Sequence, residues 1–154
     1  MQVLKFNIDR KADRVRVFEL GRVFLRDASV KDSDSTVEGL NQPMRVSGVA
    51  YGPVTSTTWG GKVRNVDFFD IKGEVEALLA PAKPEFEPAE HPAMHPGRCA
   101  QVKLNGQIIG HLGELHPRWR QSWDLQLAPI MFELDLDAVL QREVPVAQSV
   151  ARFQ

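Results

Sequence analysis

The chain has 154 residues, with 19 Lys and Arg against 20 Asp and Glu, a formal net charge of −1, 43% hydrophobic residues and 25% charged ones. That length suits one domain whose core removes roughly 68–70% of the unfolded surface from water without disulfides, and the near-neutral balance excludes a dedicated polyanion binder. No apolar run approaches the ~20 residues of a membrane helix, no signal-peptide core opens the chain, and the lone Cys99 leaves no internal disulfide, so a cytoplasmic domain away from membranes is expected.

Residues 3–8 are weakly helical, with Leu4 and Ile8 one turn apart. Residues 14–26, RVRVFELGRVFLR, read as one long strand that is apolar on both faces in its middle, the pattern of an interior strand covered on two sides. Glu19 stands in that pattern as a carboxylate expected to be buried and paired, with Arg98 as a candidate partner. A polar loop over 27–42 leads to a second strand over 43–52, whose small residues permit close backbone approach. Residues 55–65, including Trp59, form a turn-rich connection.

The best helix is 67–80, where Phe68, Ile71, Val75, Leu78 and Leu79 make one stripe at the 3.6 period. Asp67 caps it, Asp70 complements its dipole and Pro81 stops it. Gly73 inside it costs about 1 kcal/mol relative to Ala, which suggests close packing by another backbone. Residues 81–97 are proline-rich and read as an extended connector.

The strongest local signal follows. Residues 98–104 and 107–115 flank Asn105-Gly106, the dipeptide of a type I′ hairpin turn. A plain two-residue turn sets Val102 opposite Ile109 and Ala100 opposite His111, so Arg98, Ala100 and His111 share one face and Cys99 takes the other. Residues 118–123 make one or two helical turns. Residues 130–136 alternate, with Ile130, Phe132, Leu134 and Leu136 inward, and Asp137 caps a short helix. Strand, strand, helix, hairpin, strand and helix together predict an α+β fold, a mostly antiparallel sheet flanked by helices.

Chemical motifs are sparse. His91, His95, Cys99, His111 and His116 invite a metal reading, yet Pro92 and Pro96 forbid the helix that would align His91 with His95. Cys99 lacks a helix N-terminus to activate it and reads as a packed thiol. Residues 59–62 are too short for a P-loop. Arg118, Trp119 and Arg120 combine cations with a stacking surface and are the candidate RNA contact.

Several runs, taken in order, resemble the beta subunit of bacterial phenylalanyl-tRNA synthetase. They are Phe18-Glu19-Leu20-Gly21-Arg22-Val23-Phe24, Trp59, Asp67-Phe68-Phe69-Asp70-Ile71-Lys72-Gly73, and His91-Pro92-Ala93-Met94-His95-Pro96-Gly97-Arg98-Cys99-Ala100. Ile109-Gly110-His111-Leu112-Gly113-Glu114-Leu115-His116-Pro117, Phe132-Glu133-Leu134-Asp135-Leu136 and the closing stretch 145–153 continue the order.

The resemblance implies a module like a class II aminoacyl-tRNA synthetase core that has lost its active site. It implies a heterotetramer of two alpha and two beta subunits that attaches phenylalanine to tRNA with ATP and Mg2+. The class II phosphate-binding signatures are absent: the motif-2-like strand FELGRVFLRD lacks the usual F-R-x-E ending, and no G-x-G-x-x-R run occurs. Arg22 and Arg26 are therefore not assigned to ATP.

On this reading residues 1–144 are the core-like module. Residues 145–154 are a linker toward an absent anticodon-binding domain, and the chain is truncated at both ends. No catalytic, cofactor or metal residues are expected in it. Glu19, Gly21, Trp59, Phe68, Gly97, Arg98 and Gly113 are the structural or interface candidates, and an exposed apolar patch above a few hundred Å² is expected. The alternative is a free-standing acid–base or metal-dependent enzyme using His95, His111 and Glu114.

Overall fold

The computed structural model describes residues 1–56 and 63–141. Trp59 and the 145–154 stretch lie outside them. The elements run α1 (Gln2–Asp9), β1 (Val15–Arg22), β2 (Leu25–Arg26), β3 (Leu40–Asn41), β4 (Met44–Tyr51), α2 (Phe68–Leu79), β5 (Glu85–Pro88), β6 (Met94–Leu104), β7 (Gln107–Leu115), α3 (Pro117–Ser122), β8 (Ile130–Asp135) and α4 (Leu136–Leu140). Six strands form one antiparallel sheet in the order β1-β4-β8-β7-β6-β5, and β2 with β3 makes a separate two-stranded arm. The α+β, mostly antiparallel architecture is as expected.

Alternation sorts each strand's side chains onto two faces. Val46, Ala50, Val102, Leu112, Ile130 and Leu134 take one face and meet Ile71, Val75 and Leu79 of α2 and Val139 of α4 in the main core. Helix α2 forms as its sequence dictates. Asp67 accepts from the amides of Phe69 and Asp70, and Asp70 accepts in return from the Asp67 amide, a capping box that satisfies otherwise orphaned donors. The opposite face is covered at one end, where Leu4 of α1 meets Val15, Tyr51, Leu115 and Leu125. No helix among the described residues is long and apolar enough to cross a membrane.

Five expectations change. Residues 14–26 are not one interior strand: β1 is an edge strand, and beyond Arg22 the chain leaves the sheet into the β2–β3 arm. Residues 81–97 are not only a connector, since Glu85–Pro88 pairs with β6 as the other edge. Gly73 packs against nothing, because a Cβ placed there meets no atom within 4 Å. The α4 cap is Asp135, whose side chain accepts from the Asp137 amide.

The fifth change is in the hairpin. Its turn has φ values of 51° at Asn105 and 77° at Gly106, as predicted. Leu104 faces Gln107 and Lys103 faces Ile108, but Val102 faces Gly110, so Ile109 is an extra residue in a bulge. One inserted residue inverts the facing of everything beyond it. Ala100 therefore opposes Leu112, and His111 opposes Gln101. His111 leaves the face of Arg98 and Ala100 and joins that of Cys99.

Candidate functional site: the two faces of the sheet

The register lines up a polar row across all six strands on the face turned away from α2. Glu19 opposes Ser47, Ser47 opposes Glu133, Glu133 opposes His111, His111 opposes Gln101, and Gln101 opposes Glu87. The Lys103 ammonium reaches the Glu87 carboxylate at 2.6 Å and, with the Gln101 amide at 2.7 Å, holds its pKa below the usual carboxylate range. The His111 ring lies 5.1 Å from that of His91. Burial lowers the His111 pKa first, and the neighbouring His91 lowers it further.

This row corrects the reading of Glu19, which is exposed and stands on an edge strand. Arg98 cannot be its partner. It sits on β6, on the other face, where its guanidinium donates to Glu114 on β7 at 2.7 Å. Edge strands meet water on their open side, so Glu19 has no need of a buried cation. The acid–base trio is also not assembled, because His111 and Glu114 project from opposite faces of β7. Among the described residues no three His, Cys, Asp or Glu side chains are grouped to hold a metal ion. Cys99 is buried, its thiol donates to the Met94 sulfur at 3.5 Å, and burial raises its pKa, so it is a packed thiol.

Grooves open on the other face among the described residues. One, of about 1110 Å³, runs between the start of α2 and β5–β6, with Phe68, Phe69 and Phe86 on its apolar side and the Arg98–Glu114 pair on its polar side. The second, of about 660 Å³, lies over β1 and β4 beside α4, floored by Gly48 and Phe132. Phe18 and Leu20 form its outer lip and are 76% and 53% exposed. These two belong to the row that elsewhere makes the main core. The sequence held a signal for this uncovered strip, since arginines at 14, 16 and 22 bracket the apolar pair at the same alternation.

On α3 the candidate RNA residues are put to different uses. Arg120 clamps its own loop, donating to the carbonyls of Leu125 at 3.1 Å and Gln126 at 2.6 Å. Trp119 donates from Nε1 to the Pro92 carbonyl at 3.3 Å, and the Arg118 guanidinium stacks 4.8 Å from its ring centre. His116 caps the helix by accepting from the Arg118 amide. The exposed Arg118–Trp119 pair is what remains for a ligand.

Residues 1–136 match the family described as phenylalanyl tRNA synthetase beta chain CLM domain. The chain belongs to that family. The phenylalanine–tRNA ligase beta subunit of Burkholderia lata is 53% identical over 153 residues, 99% of this chain and 19% of that protein. That of Ralstonia nicotianae is 54% identical over 149 residues, covering 97% of this chain and 18% of the relative. That of Chromobacterium violaceum is 48% identical over 154 residues, covering 100% and 18%. The chain thus spans about a fifth of the length of the curated relatives it matches.

In this CLM domain the motif residues mostly serve shape. Gly97 has φ +84°, a conformation that side-chained residues rarely adopt. At Gly113 a Cβ would come within 2.8 Å of the Arg98 carbonyl oxygen, so β6 and β7 approach more closely than any larger residue allows. Gly21 has neither property. Phe68 is half-buried at the start of α2, edge-on to the exposed Phe69.

Proposed function

We propose that this chain is a non-catalytic structural module of a phenylalanine–tRNA ligase, related in fold to a class II synthetase core, that supports a catalytic alpha subunit and helps position tRNA. The whole ligase, two alpha and two beta subunits on this reading, uses ATP and Mg2+ to join phenylalanine to its tRNA. Residues 1–144 are the module and 145–154 the linker beyond it.

Membership of the CLM-domain family, with a polar row whose charges do not suit a nucleotide, carries this reading. A triphosphate needs converging cations. On the open face Glu19 and Glu133 flank Ser47, and the nearby Arg45 stands across from Asp135. Arg22, on the other face, donates to the Gln42 carbonyl at the sheet margin. These residues do not fit ATP, and no catalytic step is derived through it. The Arg118–Trp119 surface is the place where tRNA contact is proposed.

The test combines chemistry with assembly. Purified chain, ATP, Mg2+ and phenylalanine are expected to give no phenylalanine-dependent pyrophosphate exchange, while the chain co-purifies with the alpha subunit of a close relative. Adenylate formation by the chain alone would overturn the reading, and so would failure to bind the alpha subunit.

A further inference from the structure

We propose that the uncovered side of β1 is a docking groove for an amphipathic helix from a second, different polypeptide, one whose apolar stripe has carboxylates at both ends. The inference goes beyond the scaffold reading, because it follows from exposure and charge and holds whichever polypeptide supplies the helix.

The helical layer on the core side of the sheet is incomplete. Helix α2 packs chiefly on β7 and β8, and α4 on β4 and β8; α2 reaches β1 through the Glu74–Arg16 pair and borders the groove with Ile71 and Leu78, which leaves Phe18 and Leu20 on the same face of β1 exposed. Phe18 and Leu20 there are in register with the core row, since Phe18 opposes Gly48 and Leu20 opposes Val46. On the facing wall Leu140 of α4 is 70% exposed. Three large apolar side chains round one groove of about 660 Å³ are more than scattered surface hydrophobics.

Charge indicates what fills the gap. Arg16 is already neutralised by Glu74 at 2.6 Å. Arg14 and Arg22, on the same row on either side of the apolar pair, donate to the backbone carbonyls of Val54 and Gln42. Among the described residues no carboxylate opposes either charge. From residue 14 to residue 22 a strand covers about 27 Å, the length of a helix of about 18 residues. An extended peptide added to the β1 edge would satisfy backbone groups but leave Leu140 and the groove floor open, so a helix fits the surface better.

The probe is a synthetic 18-residue amphipathic peptide with Leu at helical spacing and Glu at both ends. Its controls are a twin with Lys at the ends and a twin interrupted by a central proline. The Glu-ended peptide should gain helical circular dichroism on binding and bind at least tenfold tighter than either control. Substituting Phe18→Ser with Leu20→Ser should abolish binding, and Arg14→Glu with Arg22→Glu should reverse the preference between Glu and Lys ends. The proposal is overturned by absence of binding at millimolar peptide, by indifference to the end charges, or by equal binding of the proline-interrupted peptide. Self-association of the chain that Phe18→Ser with Leu20→Ser abolishes would overturn it too, by assigning the groove to a second copy.

Discussion

At one margin of the sheet β5 is four residues long, follows Pro84 and ends on Pro88, and it carries Glu85 and Glu87 along its length. At the other margin β1 runs eight residues with no proline and exposes Phe18 and Leu20. Short length, proline and charge are the usual means of keeping a sheet edge from pairing with another chain. The β5 margin has all three. On β1 the arginines share the core-side row with Phe18 and Leu20 while Glu19 lies on the other face, so on the core side charge opposes association selectively, repelling cations and admitting anions. The contrast teaches that one side of the molecule is finished while the other is left available.

Substitutions sharpen that contrast, beginning at the sheet's centre. A Cβ at Gly110 would stand 2.0 Å from the Glu133 carbonyl oxygen, so Gly110→Ala should force β7 from β8. A loss of about 3 kcal/mol or more in urea unfolding is expected. Asp67→Ala removes one half of the capping box and should cost about 1 kcal/mol. Gly73→Ala, in an open position on the same helix, should instead raise stability by up to about 1 kcal/mol. A destabilised Gly73→Ala variant would mean that something packs where the helix is open.

Acid should act in two separate windows. The folded state lowers the His111 pKa from its ordinary 6.5, so it favours the neutral ring. That contribution is complete above pH 6.5 and is lost as pH falls through the lower folded value. Urea midpoints at pH 7.5 and 5.5 should differ, and His111→Gln should narrow the difference. Asp70 is different: its bidentate contact with Arg64 holds it down to about 2 from an ordinary 3.8, so its contribution is complete above the ordinary carboxylate value and is lost as pH falls from there through the folded one. The smallest effect is expected at the open margin. Phe18→Ser with Leu20→Ser should leave the unfolding midpoint within about 0.5 kcal/mol of the parent, as exposed positions usually do. A large loss would show the strip to be covered from within.

Much of this was legible in the sequence where local chemistry decides. The capping residues of α2, its apolar stripe and the Asn105-Gly106 turn all act over a few neighbours, and each formed as read. The misreadings concern position in the sheet. A strand that is apolar on both faces is written alike whether it lies at the centre or waits at an edge for a cover, which is why the pattern around Glu19 predicts a buried carboxylate where the structure has an exposed one. The bulge at Ile109 was also invisible, because an extra residue leaves both hairpin arms looking regular. The Arg98–Glu114 pair depended on that register, so the sequence offered Arg98 to the wrong carboxylate. Family motifs located the chain without saying which face each motif residue would serve.

The extra residue at Ile109 has a further effect. With it in place Leu112 lies under α2 and His111 in the polar row. Deleting it would keep Val102 opposite Gly110 and leave both facings as they are, but it would take from the main core a side chain that is only 5% exposed. A single-residue deletion there should therefore be worse tolerated than a lengthened turn at Asn105-Gly106, where added residues only extend a solvent loop.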